Sequence, residues 1–401
     1  MNSLNSGAKV GVLTLKKSCV VESSQQELFL RSSSCLKENA PFLSKQIITY
    51  LGNKRHLLKS IGVVLESTML RLGKNKLRLF DVFSGSGIVS RLFKSYASLV
   101  ISNDFEDYAR VISQCFLQNR SGIDRKVLQD IVTDINNRVL CTDLPLGFIE
   151  EMYSPKDENN IQKEDRVFYT KLNARLLDNY RRMIETVPLE YRNSLMGPLL
   201  SAASIHANTA GVFKGFYKDR HTKIGKYGGS GSDALSRIKK NIKLEMPVLS
   251  NFECDFLVLQ EDANEAIRKV KDIDLAYIDP PYNQHPYGSN YFMLNLLVNY
   301  RKPEAISRVS GIPDDWKRSS YNVKSKALSL MEDLVTNLDS TYLLISFNNE
   351  GFIPPEEMVK MLQKVGRVDT VQIKYNAFRG SRNFDNRSIH VTEHLFIVEK
   401  R

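Results

Sequence analysis

The chain has five cysteines in 401 residues, Cys19, Cys35, Cys115, Cys141 and Cys254, and no Cys-x-x-Cys pair. An odd, scattered set excludes a disulfide framework and a structural zinc site, leaving reduced, packing cysteines. The six histidines show no ligand spacing, so no metal is assigned. No apolar run approaches the roughly 20 residues needed to cross a bilayer, so no membrane association is expected. The first residues, MNSLNSGAKVGVLTLKK, lack the basic-then-apolar layout of a secretory signal. A cytoplasmic protein is expected. No internal repeat is visible.

What is present is ordinary in bulk and biased in charge. Hydrophobic residues at 42% and charged residues at 25% suit a globular chain, long enough for one large domain with an insertion or for two domains. The formal net charge of +11 favours polyanionic partners such as nucleic acid through counterion release. Many basic proteins bind no nucleic acid, so the position of the charge matters more than its sum.

Residues 1–44 are rich in Ser and Asn, and only KVGVLTL hints at a strand, so they read as an N-terminal extension. From residue 45 a turn leads into an amphipathic helix, and KLRLFDVFSGSGIVSRLFKSY reads as strand, glycine loop and helix. ASLVISNDFEDYARVISQCFLQN repeats strand and helix, the alternation of a parallel α/β sheet. It stops near residue 120, giving way to a polar loop, two helical stretches and a glycine-punctuated basic segment with strand-like pieces. It resumes with FLVLQEDANEAIRKV, DLAYIDPPY, TYLLISFNNEG and a last pair, VDTVQIKYNAF and TEHLFIVEK. The expected organisation is one α/β domain over 45–120 and 251–401, interrupted by an insertion over 121–250.

Two motifs carry chemistry. DVFSGSG puts glycines at a tight strand-to-helix turn, where backbone can approach a ligand closely. The dinucleotide fingerprint is not met, because its third glycine position is Ser90. Some 20 residues on, LVISNDF ends a strand at Asp104; alone it reads as a surface acid, but with the glycine loop it suits two ribose hydroxyls. The second motif, DPPY over 279–282, closes an apolar strand. Its prolines stiffen the turn and remove donors, leaving carbonyls, that of Pro280 among them, beside the Asp279 carboxylate. Carbonyl and carboxylate together accept the two N–H donors of an exocyclic amine, and Tyr282 offers a flat face to a base removed from its stack. A merely structural turn and a polyproline-like strand cap are the bland alternatives.

YLGNKRHLL, DVFSGSG and DPPY, in this order, resemble the α-group, Dam-like DNA adenine-N6 methyltransferases, which use S-adenosylmethionine. The resemblance runs from about residue 45 to the end and implies a Rossmann-like S-adenosylmethionine methyltransferase sheet with an inserted target-recognition domain. It implies cofactor contacts at Tyr50, Lys54, Asp81, Phe83 and Gly85, a ribose-binding role for Asp104, and an acid near the cofactor adenine at Asp262. Asp279, Pro280 and Tyr282 fall on the catalytic motif. NQHPYGSNYFMLN is similar to a subgroup rich in restriction-linked enzymes.

Between 211 and 245 nine Lys or Arg face three Asp or Glu, with Phe213, Phe216, Tyr217 and Tyr227 interleaved. Such a segment suits phosphate contact and base readout, or else a solvated loop; Lys214, Lys218, Arg220 and Lys223 are the candidates. KYNAFRGSRNFDNRSIH is a second basic segment, with Arg379 and Arg382 as phosphate contacts. The expected reaction is site-specific methyl transfer to adenine N6 in double-stranded DNA, with a restriction endonuclease as functional partner. Other readings are cytosine-N4 methylation, usually with Ser-Pro-Pro-Tyr, RNA or protein methylation, more like Asn-Pro-Pro-Tyr, and a DNA-binding specificity subunit with a vestigial pocket. No cysteine follows a proline, which argues against the cysteine-nucleophile route to 5-methylcytosine. An orphan or phage-borne enzyme fits as well as a restriction-linked one.

Overall fold

A computed structural model describes residues 38–141, 144–229, 234–376 and 390–401. Seven strands form one sheet: β1 (Leu77–Asp81), β2 (Ala97–Asn103), β3 (Asp255–Leu259), β4 (Ile273–Ile278), β5 (Ser340–Asn348), β6 (Gly366–Asn376) and β7 (His390–Lys400). The order is β3-β2-β1-β4-β5-β7-β6. β1 to β5 pair in parallel, while β7 runs antiparallel to both its neighbours. This is the mostly parallel, Rossmann-like sheet that the alternation and the resemblance imply.

The central strands explain the apolar runs in the sequence. Every residue of β4 is buried, because helices cover both faces of the sheet and leave no side to alternate toward water. Successive residues still point to opposite faces. Leu79, Leu275 and Leu344 pack with the helix Leu58–Leu72, whereas Phe80, Ala276 and Leu343 pack with Ala263–Lys269, Lys324–Asn337 and Pro355–Gln363. Gly73, at φ 63°, ends the helix Leu58–Leu72 in the left-handed conformation that frees its last carbonyls for capping.

A third cluster lies beside the sheet. The helices Arg125–Cys141, Phe148–Tyr153, Lys171–Glu185 and Leu189–Ile205 lie within residues 121–250 and share a core with Tyr108, Ile112 and Phe116 and with Phe292 to Val298. The strand-like pieces expected over 211–245 reduce, among the described residues, to one bridge between Lys218 and Gly225. The segment has no sustained alternation, and Phe213 and Phe216 are drawn into the core against Phe168. Residues 38–44, assigned in sequence to the extension, belong to the packed body: Phe42 is buried and its carbonyl accepts from Arg91 at 2.6 Å. The strand suggested by KVGVLTL lies outside the described residues. No helix among the described residues is long and apolar enough to cross a membrane.

Strand order sets where a ligand goes. From β1 the chain steps outward through β2 to β3, and from β4 it steps the other way through β5. The sheet therefore opens a crevice at the carboxyl ends of β1 and β4, the switch point where such sheets bind ligands.

Candidate active site

β1 and β4 are in register through Phe80 with Ala276 and Asp81 with Tyr277, so both motifs leave the sheet side by side. They open into a cleft of about 860 Å³. Tyr50, Lys54, Asp81, Phe83, Gly85, Asp104, Asp262 and Asp279 all line it. Pro280 is buried, and the next residue, Pro281, lines the cleft.

The glycine loop is shaped by what it must approach. Gly85 and Gly87 take φ of 51° and 70°, the region that glycine enters without penalty. A Cβ on Gly85 would stand 2.7 Å from the Tyr50 ring. Tyr50 cannot easily yield, since it stacks on Tyr287 at 5.1 Å and Tyr291 at 5.0 Å. The Gly85 N–H donates to Asp104 Oδ2 at 2.7 Å and the Glu106 N–H to Oδ1 at 2.9 Å. Asp104 thus ties the loop to the end of β2 through backbone donors, with acceptor capacity remaining on its carboxylate.

Asp81 is 1% exposed. Its Oδ2 accepts from the Ser90 hydroxyl at 2.6 Å, while its Oδ1 is buried with no partner in the protein. Burial lifts this carboxyl to about 7 against the Ser90 hydrogen bond. A buried acceptor left open costs free energy unless a ligand fills it. On the cleft's other wall Phe83 meets the edge of Tyr321 at 5.2 Å, and Asp262 caps the helix Ala263–Lys269 through the Asn264 N–H at 2.9 Å.

Asp279 faces a buried cation. Lys54 Nζ lies 3.1 Å from Asp279 Oδ1 and 2.9 Å from Glu393 Oε1. Burial opposes the Lys54 charge, yet the two carboxylates outweigh it and hold its pKa well above the usual lysine value. Burial lifts Asp279, Lys54 pulls it back, and Glu393 lifts it again, leaving it pushed up to about 7. Burial also acts to raise Glu393, but Lys54 and the Ser346 hydroxyl hold it below the usual carboxylate value. Of the two carboxylates on Lys54, Glu393 is thus the one favoured in its ionised form and Asp279 the one whose ionisation is resisted. The Tyr282 ring lies 5.6 Å from Lys54 Nζ and 5.9 Å from Phe347, edge-on to the latter.

The basic candidates lie apart from this cleft's lining. Lys214, Arg220 and Lys223 are exposed and Lys218 is half-buried over the Phe216 ring. Tyr227 is tied to Glu158 through its hydroxyl at 2.7 Å, so of the four interleaved aromatics Phe213, Phe216 and Tyr227 have structural work. Arg379 and Arg382 lie outside the described residues. Among the described residues no group of His, Cys, Asp and Glu is arranged to hold a metal.

Sequence reasoning missed Glu393, Glu106, Lys317 and Tyr321. Glu393 stands inside β7, two residues before its apolar run Leu395–Val398, and an acid within a buried strand is the available signal. Burial pushes Glu106 to about 7, against a hydrogen bond from Asn295 at 2.7 Å. Lys317 donates to the Phe105 carbonyl at 2.9 Å and pairs with Asp107 at 3.1 Å. Lys317 and Tyr321 sit in an irregular polar stretch with no periodicity to mark them.

A mostly parallel sheet with one antiparallel strand next to its edge, and a glycine loop at β1 and an acid-Pro-Pro-aromatic turn at β4 that open into one cleft, is the arrangement of a Rossmann-like methyltransferase. The family model of the D12 class N6 adenine-specific DNA methyltransferases matches residues 50–361, and the chain belongs to that family. It is thereby an adenine-specific DNA methyltransferase by descent. The chain is 28% identical over 366 residues to the type II methyltransferase M.NlaIII of Neisseria lactamica, covering 88% of this chain and 99% of that one. It is 27% identical to M.CviAII of Paramecium bursaria Chlorella virus 1, covering 88% and 98%. Against the modification methylase StsI of Streptococcus sanguinis it is 28% identical over 88% of its own length, and spans 52% of that longer protein.

Proposed function

We propose that the protein transfers a methyl group from S-adenosylmethionine to the N6 amino group of adenine at a specific site in double-stranded DNA. The observation that carries this is the adjacency of two acids at neighbouring strand ends: Asp81 with an open buried oxygen, and Asp279 beside it in the same cleft.

The residues present fit the cofactor. Asp81 Oδ1 is an acceptor awaiting a donor such as an α-amino group. Gly85 and Tyr50 form a wall that admits no added side chain, Asp104 retains acceptor capacity for a ribose, and Phe83 with Tyr321 supplies an aromatic wall for a base. Asp262 lines the same cleft and suits the far end of a nucleoside. When bound, the cofactor supplies an electrophilic methyl group on a sulfonium.

The chain's own residues do the rest. An adenine taken out of the duplex rests against Tyr282, and its amino group donates to Asp279 and to the Pro280 carbonyl. Those bonds hold the nitrogen lone pair out of the ring and aim it, so the gain is orientation and stabilisation of charge developing on nitrogen. Asp279 then takes the proton that the methylated nitrogen releases. Residues 121–250 act as the target-recognition region, with Lys214, Lys218, Arg220 and Lys223, and Arg379 and Arg382, on phosphates or base edges. The names of the relatives support a modification enzyme of a restriction–modification system, working beside a cognate endonuclease in the cytoplasm.

Methylated genomic DNA from a host expressing the chain, sequenced for N6-methyladenine, tests this. One recurrent short site is expected. Modification scattered without a common site, or absent, would contradict it.

A further inference from the structure

The Lys54 ammonium is shared by two carboxylates where the proposed chemistry calls on one. Lys54 is 4% exposed and Glu393 has no exposed surface. Glu393 comes from β7, opposite Asn348 of β5, and its Oε1 also accepts the Ser346 hydroxyl at 2.5 Å. A second buried carboxylate is costly unless its charge is compensated. Its place on Lys54 therefore calls for a function.

A lysine with Asp279 as its sole partner would settle fully on that carboxylate and compete with the substrate amino group for its lone pairs. With Glu393 also paired to it, at the shorter distance, Nζ is shared by the two and reaches Asp279 through Oδ1. The second Asp279 oxygen is then left for the substrate. We propose that Glu393 is a positioning residue for methyl transfer: it fixes Lys54 between two carboxylates so that Asp279 presents one oxygen to the reacting amino group and accepts its proton. This rests on the adenine reading above and deepens it.

The step balances without a further reactant. The nitrogen lone pair forms the new N–C bond, the S–C bond breaks with its pair left on sulfur, and the nitrogen loses one proton to Asp279. Lys54 stays an ammonium and Glu393 a carboxylate throughout. Asp279 is faced by Lys54 from the turn at 54–57, Glu393 from β7, Asp81 from β1, Tyr277 from β4, and Tyr282 and Tyr287 from the chain after it. Beyond the first cause, burial, Glu393 is the like charge that resists its ionisation, while Asp279 itself helps to raise Asp81.

The test compares the full-length wild type with Glu393→Gln and Glu393→Asp. Single-turnover methylation of duplex DNA is followed from about pH 5.5 to 9, with cofactor binding measured by calorimetry. Glu393→Gln should bind the cofactor as the wild type does and lose about tenfold or more of the plateau rate. Its acid limb should move down by about one pH unit, because a like charge has been removed. Glu393→Asp keeps the charge and should keep the limb near its wild-type position. A limb that stays put in a Glu393→Gln protein that binds cofactor overturns the proposal, as does a limb displaced in Glu393→Asp. Should Glu393→Gln fail to bind cofactor, Glu393→Asp decides: a limb held in place with a lowered plateau supports the role, and a displaced limb refutes it. A wild-type chain that methylates no adenine contradicts the underlying reading instead.

Discussion

Asp81→Asn should stabilise the cofactor-free protein at alkaline pH while removing most of its cofactor affinity. Burial raises the Asp81 carboxyl from 3.8 to about 7. Between those values the folded chain holds a proton that the unfolded chain has lost. Through this group, stability falls as pH rises across that window and does not return above it. About three pK units at about 1.36 kcal/mol each set a ceiling of about 4 kcal/mol at pH 8. Asparagine keeps an acceptor for the Ser90 hydroxyl and carries no charge, so the slope disappears. Local relaxation takes part of the ceiling, and a gain of about 2 kcal/mol is expected at pH 8, shrinking toward zero near pH 4. Urea unfolding followed by circular dichroism at both pH values, without cofactor, measures the gain; calorimetry measures cofactor binding. A variant no more stable than wild type at pH 8, or one that binds the cofactor unchanged, would refute the reasoning. At Asp81 stability is given up for binding.

Other perturbations have defined outcomes. Lys54→Met leaves Asp279 and Glu393 without their cation and should cost about 3–5 kcal/mol at pH 8, read from urea unfolding. The loss should be smaller at lower pH, because the raised pKa of Asp279 favours its neutral form there. Gly85→Ala forces a side chain into the left-handed region and against the Tyr50 ring; about 1–2 kcal/mol of strain and a weakened cofactor affinity are expected by calorimetry. Replacing Lys218, Arg220 and Lys223 together by alanine should weaken DNA binding across sequences. It should also reduce the slope of log affinity on log salt by about one per lost phosphate contact, read by fluorescence anisotropy.

The sheet was legible because its strands are short apolar runs separated by helical periodicity, and tertiary packing agrees with that pattern at β1, β2, β4 and β5. The cleft was legible where its residues sit in compact motifs at strand ends: Asp81 through Gly85, Asp104, and Asp279. What escaped reading is what packing decides. Phe213 and Phe216 look like base-stacking aromatics in a basic segment, but their apolar area is satisfied in the core against Phe168. Glu393 lies 339 positions from Lys54 in sequence and meets it because β7 folds back beside β5. Lys317 and Tyr321 reach the cleft from an irregular stretch in which no period marks the inward side.

The central claim is that Asp279 directs methyl transfer to the amino group of adenine. Unmodified duplex DNA would be incubated with S-adenosylmethionine and wild-type protein or Asp279→Ala, digested to nucleosides and weighed by mass spectrometry. N6-methyladenine from the wild type and almost none from Asp279→Ala, with cofactor binding retained in both, is the result expected. N4-methylcytosine in its place, or a variant that methylates adenine as fast as the wild type, would contradict the account.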